Sequence, residues 1–145
     1  MSNYSKLRFN SKGLQCEAAL FMPQETPIGT VICAPGFGAL WQFGNSSAIA
    51  AFQEAGYAVL AFNYRGFGDS EGLPRQFINP KEQLDDWLAA IDFANSLDSV
   101  PKIIILWGSS LSGGHVLSAA AKINSVNAVI AQVPHCSSRS AMQGA

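Results

Sequence analysis

The sequence predicts an α/β domain: a mainly parallel sheet with helices packed on both faces. Three observations carry that prediction. Strand-length apolar runs alternate along the chain with stretches of helical periodicity. The runs are apolar on both faces rather than alternating, as strands buried between two helical layers are. One of the helices also opens on an explicit capping signal.

Taken in order, residues 14–22 read as a first strand and residues 28–34 as a second, continuous apolar one. Residues 45–55 show helical spacing through Ile49 and Phe52 and close at Gly56. Y-A-V-L-A-F-N-Y, residues 57–64, is another buried strand. Asn79 then stands as N-cap, Pro80 at the first helical position and Glu82 three residues after the cap. Leu84, Trp87, Leu88, Ile91 and Ala94 recur at 3.6-residue spacing, with Asp85 and Asp86 assigned to the solvent face. Pro101 precedes the most apolar strand, K-I-I-I-L-W, a helix over residues 111–122 follows, and residues 126–133 form the last strand. At least five strands are expected. Right-handed crossovers would gather the strand ends, and any site, along one edge of the sheet.

The 145 residues fit one domain, which at that size buries roughly 70% of its unfolded surface. Hydrophobic residues make up 48% and charged ones 13%, which excludes a disordered chain. A net charge of −1 without a basic run argues against nucleic acid and anionic membrane surfaces as partners. Apolar runs such as residues 58–62 and 103–107 are too short to cross a bilayer. The start, M-S-N-Y-S-K-L-R-F, lacks the apolar core of a secretory signal. Cys16, Cys33 and Cys136 are odd in number, with no C-x-x-C. They read as structural thiols of a reducing compartment, and the expected location is the cytoplasm.

The chemistry concentrates in I-I-I-L-W-G-S-S-L-S-G-G-H, residues 103–115. A buried strand stops at Gly108 and a helix starts within three residues, so the residue at the apex is forced into strained dihedrals. Gly108, Ser112, Gly113 and Gly114 are the small neighbours such a turn needs. Ser110 is thereby presented at the sheet edge, at the positive end of a helix dipole, as a candidate catalytic nucleophile. The Leu111 N–H points where an oxyanion would form. A plain Gly/Ser-rich turn is the bland alternative. A P-loop is excluded because no lysine follows Gly113, and a dinucleotide fingerprint because Trp41 occupies the third glycine's place after Gly36 and Gly38. Ser112 is the rival nucleophile, but it falls inside the first helical turn. V-I-C-A-P-G-F-G, residues 31–38, runs a strand into a glycine-flanked loop, where the Phe37 N–H is a candidate second oxyanion donor.

These segments resemble the α/β-hydrolase superfamily, in order and over nearly the whole chain. V-I-C-A-P-G-F-G is similar to its oxyanion strand and loop, and F-N-Y-R-G-F-G-D-S-E-G, residues 62–72, to the loop after the next strand. The turn at Ser110 resembles the nucleophile elbow. The stretch L-P-R-Q-F-I-N-P-K-E-Q-L-D-D-W-L-A-A-I is similar to a bacterial and fungal branch near the dienelactone-hydrolase and serine-aminopeptidase-like groups. Pro35 replaces the superfamily's usual His, and the elbow reads G-x-S-x-S-G rather than G-x-S-x-G.

The resemblance implies a serine hydrolase that attacks a small-molecule ester, thioester or amide through an acyl-enzyme at Ser110, with no cofactor and no metal. It also implies that residues 1–145 are the N-terminal portion of a single such domain, lacking its last strands. The superfamily supplies its acid and then its histidine after the serine, whereas all ten acidic residues here lie at or before Asp98. His115 is expected to pack locally, and His135 to sit near the catalytic edge without an acid to orient it. Asp69 and Glu71 read as loop residues, and Arg65 and Arg75 as pins of that loop. Little activity is expected from this chain alone, which leaves a non-catalytic remnant or interaction module as the alternative. The apolar last strand would be an exposed edge through which copies self-associate.

Overall fold

The computed structural model describes residues 3–139. Its elements are β1 (Tyr4–Ser11), β2 (Leu14–Phe21), β3 (Thr30–Cys33), α1 (Trp41–Gly44), α2 (Ser46–Glu54), β4 (Ala58–Phe62), α3 (Pro80–Ser96), β5 (Ile104–Ser109), α4 (Leu111–Ala120) and β6 (Val126–Gln132). The six strands form one sheet in the order β1-β2-β4-β3-β5-β6. Strands β4, β3, β5 and β6 run parallel, whereas β2 joins β4 antiparallel and carries β1 antiparallel on its outer side.

The apolar runs divide their residues between the two faces with period two. Ala58, Leu60 and Phe62 of β4, Ile32 of β3, and Ile104 and Leu106 of β5 enter one core, which α3 and α4 cover with Trp87, Ile91, Val116 and Ala119. Val59, Ala61, Val31 and Cys33 enter the other, together with Trp41 and with Ile49 of α2. Helices on both faces explain why these strands carry no polar alternation.

Strand β1 was not legible as one. Only Phe9 and Ser11 of its eight residues are buried, so its apolar signal is thin. It is held by an in-register hairpin, Ser11 opposite Leu14, around Lys12 and Gly13, both at positive φ (51° and 89°). That is the geometry of a two-residue hairpin turn, here with lysine where asparagine would be usual. The four-residue α1 also escaped the periodicity reading.

The cap of α3 forms as expected: Asn79 Oδ1 accepts the Lys81 N–H at 3.1 Å, with Pro80 in the first turn. Its buried face is rotated from the expected one, however. Gln83, Asp86, Trp87, Ala90, Ile91 and Ala94 are buried, while Leu84 and Leu88 are only partly so. Asp86 is therefore not on a solvent face. It is fully buried and ion-paired to Arg65 at 2.7 Å, which compensates the desolvation of its charge.

Because the four parallel strands share a direction, their carboxyl ends at Cys33, Phe62, Ser109 and Gln132 form one edge. The loops leaving that edge build the site.

Candidate functional site

A single residue separates β5 from α4, and it is Ser110. Its backbone has φ 59° and ψ −123°, a conformation that side chains other than glycine's adopt only under strain. The neighbours permit it by being small. A Cβ at Gly108 would lie 2.4 Å from the Ser112 carbonyl oxygen, and one at Gly114 only 2.1 Å from that of His135. The apex is also tied to the next strand: the Ser110 N–H donates to the Gln132 carbonyl at 3.0 Å, and the Ser110 carbonyl accepts from the His135 N–H at 2.9 Å. The Ser110 side chain is exposed and makes no capping bond to its own helix.

Ser112 is placed differently. It is fully buried, and its hydroxyl donates to the Ala34 carbonyl at 2.8 Å. Ser112 thus fastens the first turn of α4 to the end of β3, and its oxygen faces the interior.

The loop after β3 passes over the apex. A methyl group at Gly36 would stand 3.3 Å from the Ser109 carbonyl and 3.5 Å from the Ser110 Cβ. Phe37 follows with its side chain 73% exposed, and Gly38 at φ 67° turns the chain toward α1. Leu111 opens α4, so its N–H is among the first-turn donors that a helix leaves without an intrahelical acceptor. The two candidate oxyanion residues therefore belong to the segments on either side of Ser110.

The histidines are engaged elsewhere. His115 is buried; its Nε2 lies 3.0 Å from Gln83 Oε1 and its ring packs edge-on to Tyr64. Burial pushes its pKa down to about 4, so the ring is neutral at pH 7. The expectation of purely local packing was too narrow, since the partner comes from α3. The backbone of His135 touches Ser110, but its Nε2 lies 3.1 Å from Ser138 Oγ. Burial raises the thiols of Cys16 and Cys33 to about 12, so neither is a nucleophile at neutral pH.

The loop after β4 is pinned as the arginines suggested. Arg65 donates to Asp86 Oδ1 through Nε and Nη2, at 2.9 and 2.7 Å, while Ser11 of β1 donates to the same carboxylate at 2.6 Å. Arg75 donates to the carbonyls of Ser70, Gly68 and Gly72. Glu71 accepts the Gln15 N–H at 2.8 Å, and Glu17 accepts the Asp69 N–H. Asp69 and Glu71 thus belong to a structural loop.

Sequence reasoning missed Asn63. This fully buried side chain accepts the Trp41 N–H at 2.9 Å and donates to Gln42 Oε1 at 3.0 Å. Gln42 in turn donates to Glu17 at 2.8 Å. Asn63 therefore holds the start of α1, where the loop carrying Gly36 and Phe37 ends. The signal was an amide between Phe62 and Tyr64 in an otherwise apolar run, since buried amides need partners.

A strand-to-helix elbow crossed by the loop of the central neighbouring strand defines the class, and comparison with known proteins agrees. The family model for the alpha/beta hydrolase fold matches residues 29–143, and the chain belongs to that family. It is 43% identical over 130 residues to the quorum-quenching protein AidA of Acinetobacter baumannii, covering 88% of this chain and 43% of that protein. It is 33% identical over 133 residues to the thiohydrolase aneE of Aspergillus aculeatus, covering 90% and 42%. Among solved structures, the alpha/beta hydrolase GrgF from a Penicillium species superposes with TM-score 0.85 at 30% identity, over 91% of this chain and 46% of that one. The chain spans less than half the length of these relatives.

Proposed function

We propose that this chain carries the nucleophile and oxyanion donors of a serine hydrolase acting on a small-molecule ester, thioester or amide. Ser110 attacks the carbonyl carbon, and the N–H groups of Phe37 and Leu111 hold the oxyanion. The bond to the alcohol, thiol or amine then breaks and that group leaves as the acyl-enzyme forms, and water cleaves the acyl–serine bond to release the carboxylic acid and restore the hydroxyl. The single observation that carries this reading is the strained, exposed and uncapped Ser110 with Gly36 packed against it. The kinship with a thiohydrolase favours thioesters within the substrate range. The work belongs in a reducing, cytoplasmic setting, consistent with buried free thiols at Cys16 and Cys33, and needs no cofactor.

A general base and its acid would have to be supplied by residues beyond those described. No carboxylate follows Asp98, and both histidine rings are held by partners other than Ser110. The same observation favours a second reading, in which residues 1–145, as the front portion of one hydrolase domain, serve as a non-catalytic interaction module. The unguarded β6 edge would then pair with a second copy.

Labelling with an activated alkyl phosphonate, followed by mass spectrometry, tests the assignment. A tag on Ser110 that Ser110→Ala abolishes is expected. A tag on Ser112 that survives Ser110→Ala would overturn it. Assay of the 145-residue chain against a short-chain aryl ester separates the two readings: turnover lost in Ser110→Ala would show that the chain finds its own base.

A further inference from the structure

Resting on that reading, we infer that Tyr64 is a positioning residue for the two oxyanion donors. Its phenol engages the Ser112 hydroxyl, and through that hydroxyl it sets the gap between the Leu111 N–H and the loop carrying the Phe37 N–H. Tyr64 stands two residues past the end of β4, at the same edge of the sheet as Ser110. Its side chain is fully buried, and the Phe62 and His115 rings both meet it edge-to-face, at centroid distances of 5.5 and 5.9 Å.

The phenol receives one bond and has one proton to place. The Trp87 indole N–H donates to its oxygen at 3.0 Å, and an indole cannot accept in return. Burial raises the phenol's pKa, so the proton stays on the oxygen at neutral pH, and a buried O–H needs an acceptor. The Ser112 hydroxyl is hydrogen-bonded to the phenol as well. Its own proton is committed to the Ala34 carbonyl at 2.8 Å, which leaves its lone pairs to receive. The donors therefore run one way, from Trp87 to Tyr64 to Ser112 to Ala34, and bonds aligned in this manner strengthen one another.

This chain of bonds starts on α3 and ends beside the site. Leu111 directly precedes Ser112, and Phe37 follows Ala34 by three residues. Two donors that converge on one oxyanion must be held to within about 0.5 Å. A serine hydroxyl by itself is a rotor with three staggered positions. Donation from Tyr64 selects the one whose proton meets Ala34. Tyr64 can impose that choice because its own backbone is tied on both sides. Its carbonyl accepts the Phe67 N–H at 3.1 Å, and the Arg65 N–H that follows is bound by Asp86 at 2.9 Å.

The test measures the rate of Ser110 labelling by the activated alkyl phosphonate against probe concentration, in the 145-residue chain. Parent, Tyr64→Phe, Ser112→Ala and the double variant are compared, with folded fractions read by circular dichroism. Tyr64→Phe keeps the ring and removes the hydroxyl. Its maximal labelling rate should fall about three- to tenfold, part of the roughly 10²- to 10³-fold that loss of a whole oxyanion donor costs. The half-saturating probe concentration should change by less than about twofold, because the donors act on the developing charge. In Ser112→Ala the tag still forms, at a similarly reduced rate, and adding Tyr64→Phe should alter that rate by less than about twofold. A Tyr64→Phe chain that loses folded fraction but labels at the parent's maximal rate would overturn the inference, as would independent slowing in the double variant. Should Tyr64→Phe not fold, an unchanged maximal rate in Ser112→Ala overturns it. Backbone amide shifts are read on the same proteins, and Tyr64→Phe should move those of Gly36, Phe37 and Leu111. Shifts confined to α3 and β4 would refute the inference whatever Ser110 does. An unlabelled parent whose amides respond as expected removes the hydrolase reading alone. A labelled parent indifferent to Tyr64→Phe removes this one alone.

Discussion

The hydroxyl of Ser112 donates to the carbonyl of Ala34 across 2.8 Å, joining the first turn of α4 to the end of β3. This bond fixes the distance between the two segments that flank Ser110. Its removal in Ser112→Ala leaves a buried acceptor without that partner, so unfolding free energy should fall by about 1–2 kcal/mol in urea titration. Phosphonate labelling of Ser110 should persist. Loss of labelling with unchanged stability would reverse the roles given to the two serines.

Ser110 itself should be a liability to the fold. A residue with a side chain at φ 59°, ψ −123° carries strain of about 1–3 kcal/mol that glycine does not. Ser110→Gly is therefore expected to raise the urea midpoint while abolishing labelling. A lower midpoint would mean that the apex is unstrained.

Asp86 lies at the opposite extreme. Its carboxylate gathers Ser11, the Arg65 guanidinium and the Arg65 N–H, the last at 2.9 Å. Asp86→Ala leaves a largely buried guanidinium without its partner, and a loss of about 3–5 kcal/mol is expected. Asp92→Ala, on the exposed face of the same helix, should change stability by less than about 0.5 kcal/mol. Equal effects at both positions would remove the distinction between the two faces.

His115 should make the fold sensitive to mild acid. Burial lowers its pKa to about 4 from an ordinary 6.5, so between these values the unfolded chain binds a proton that the native chain excludes. Its contribution is fully present above pH 6.5 and is lost as pH falls toward 4, amounting to about 2–3 kcal/mol. Carboxylates titrate over the same range, so the informative quantity is the difference between the parent protein and His115→Gln. That difference should shrink steadily from pH 7 to pH 4; a constant difference would show that the ring titrates alike in the native and unfolded chains.

The edge at β6 leads to a prediction about association. Its sequence V-N-A-V-I-A-Q contains no charge and no proline, which are the usual guards of a free edge. Ile130 is 45% exposed and Val133, just beyond the strand, 76% exposed. Sedimentation should reveal a concentration-dependent dimer that Ile130→Lys weakens. A strictly monomeric parent protein at high concentration would rule out pairing through this strand.

The parallel strands and the elbow were legible because both depend on local chemistry. Continuous apolar runs require two covered faces, and glycines around a serine permit a reversal that larger residues would block. What escaped was set by distant partners. Asp86 looks like a surface residue beside Asp85 until Arg65, twenty-one positions earlier, is folded against it. Asn63 holds α1 through a backbone donor that no periodicity reveals. β1 becomes a strand only because β2 offers it an edge.

The two bonds from the Ser110 backbone to Gln132 and His135 give the apex a mechanical connection. The two peptide groups that flank Ser110 are both strung to the exit of β6, so a pull on the chain there is transmitted to the serine as a torque about its own φ and ψ. A residue in a strained conformation is thereby coupled to the strand beside it, so that loosening the end of β6 would slacken the apex as well.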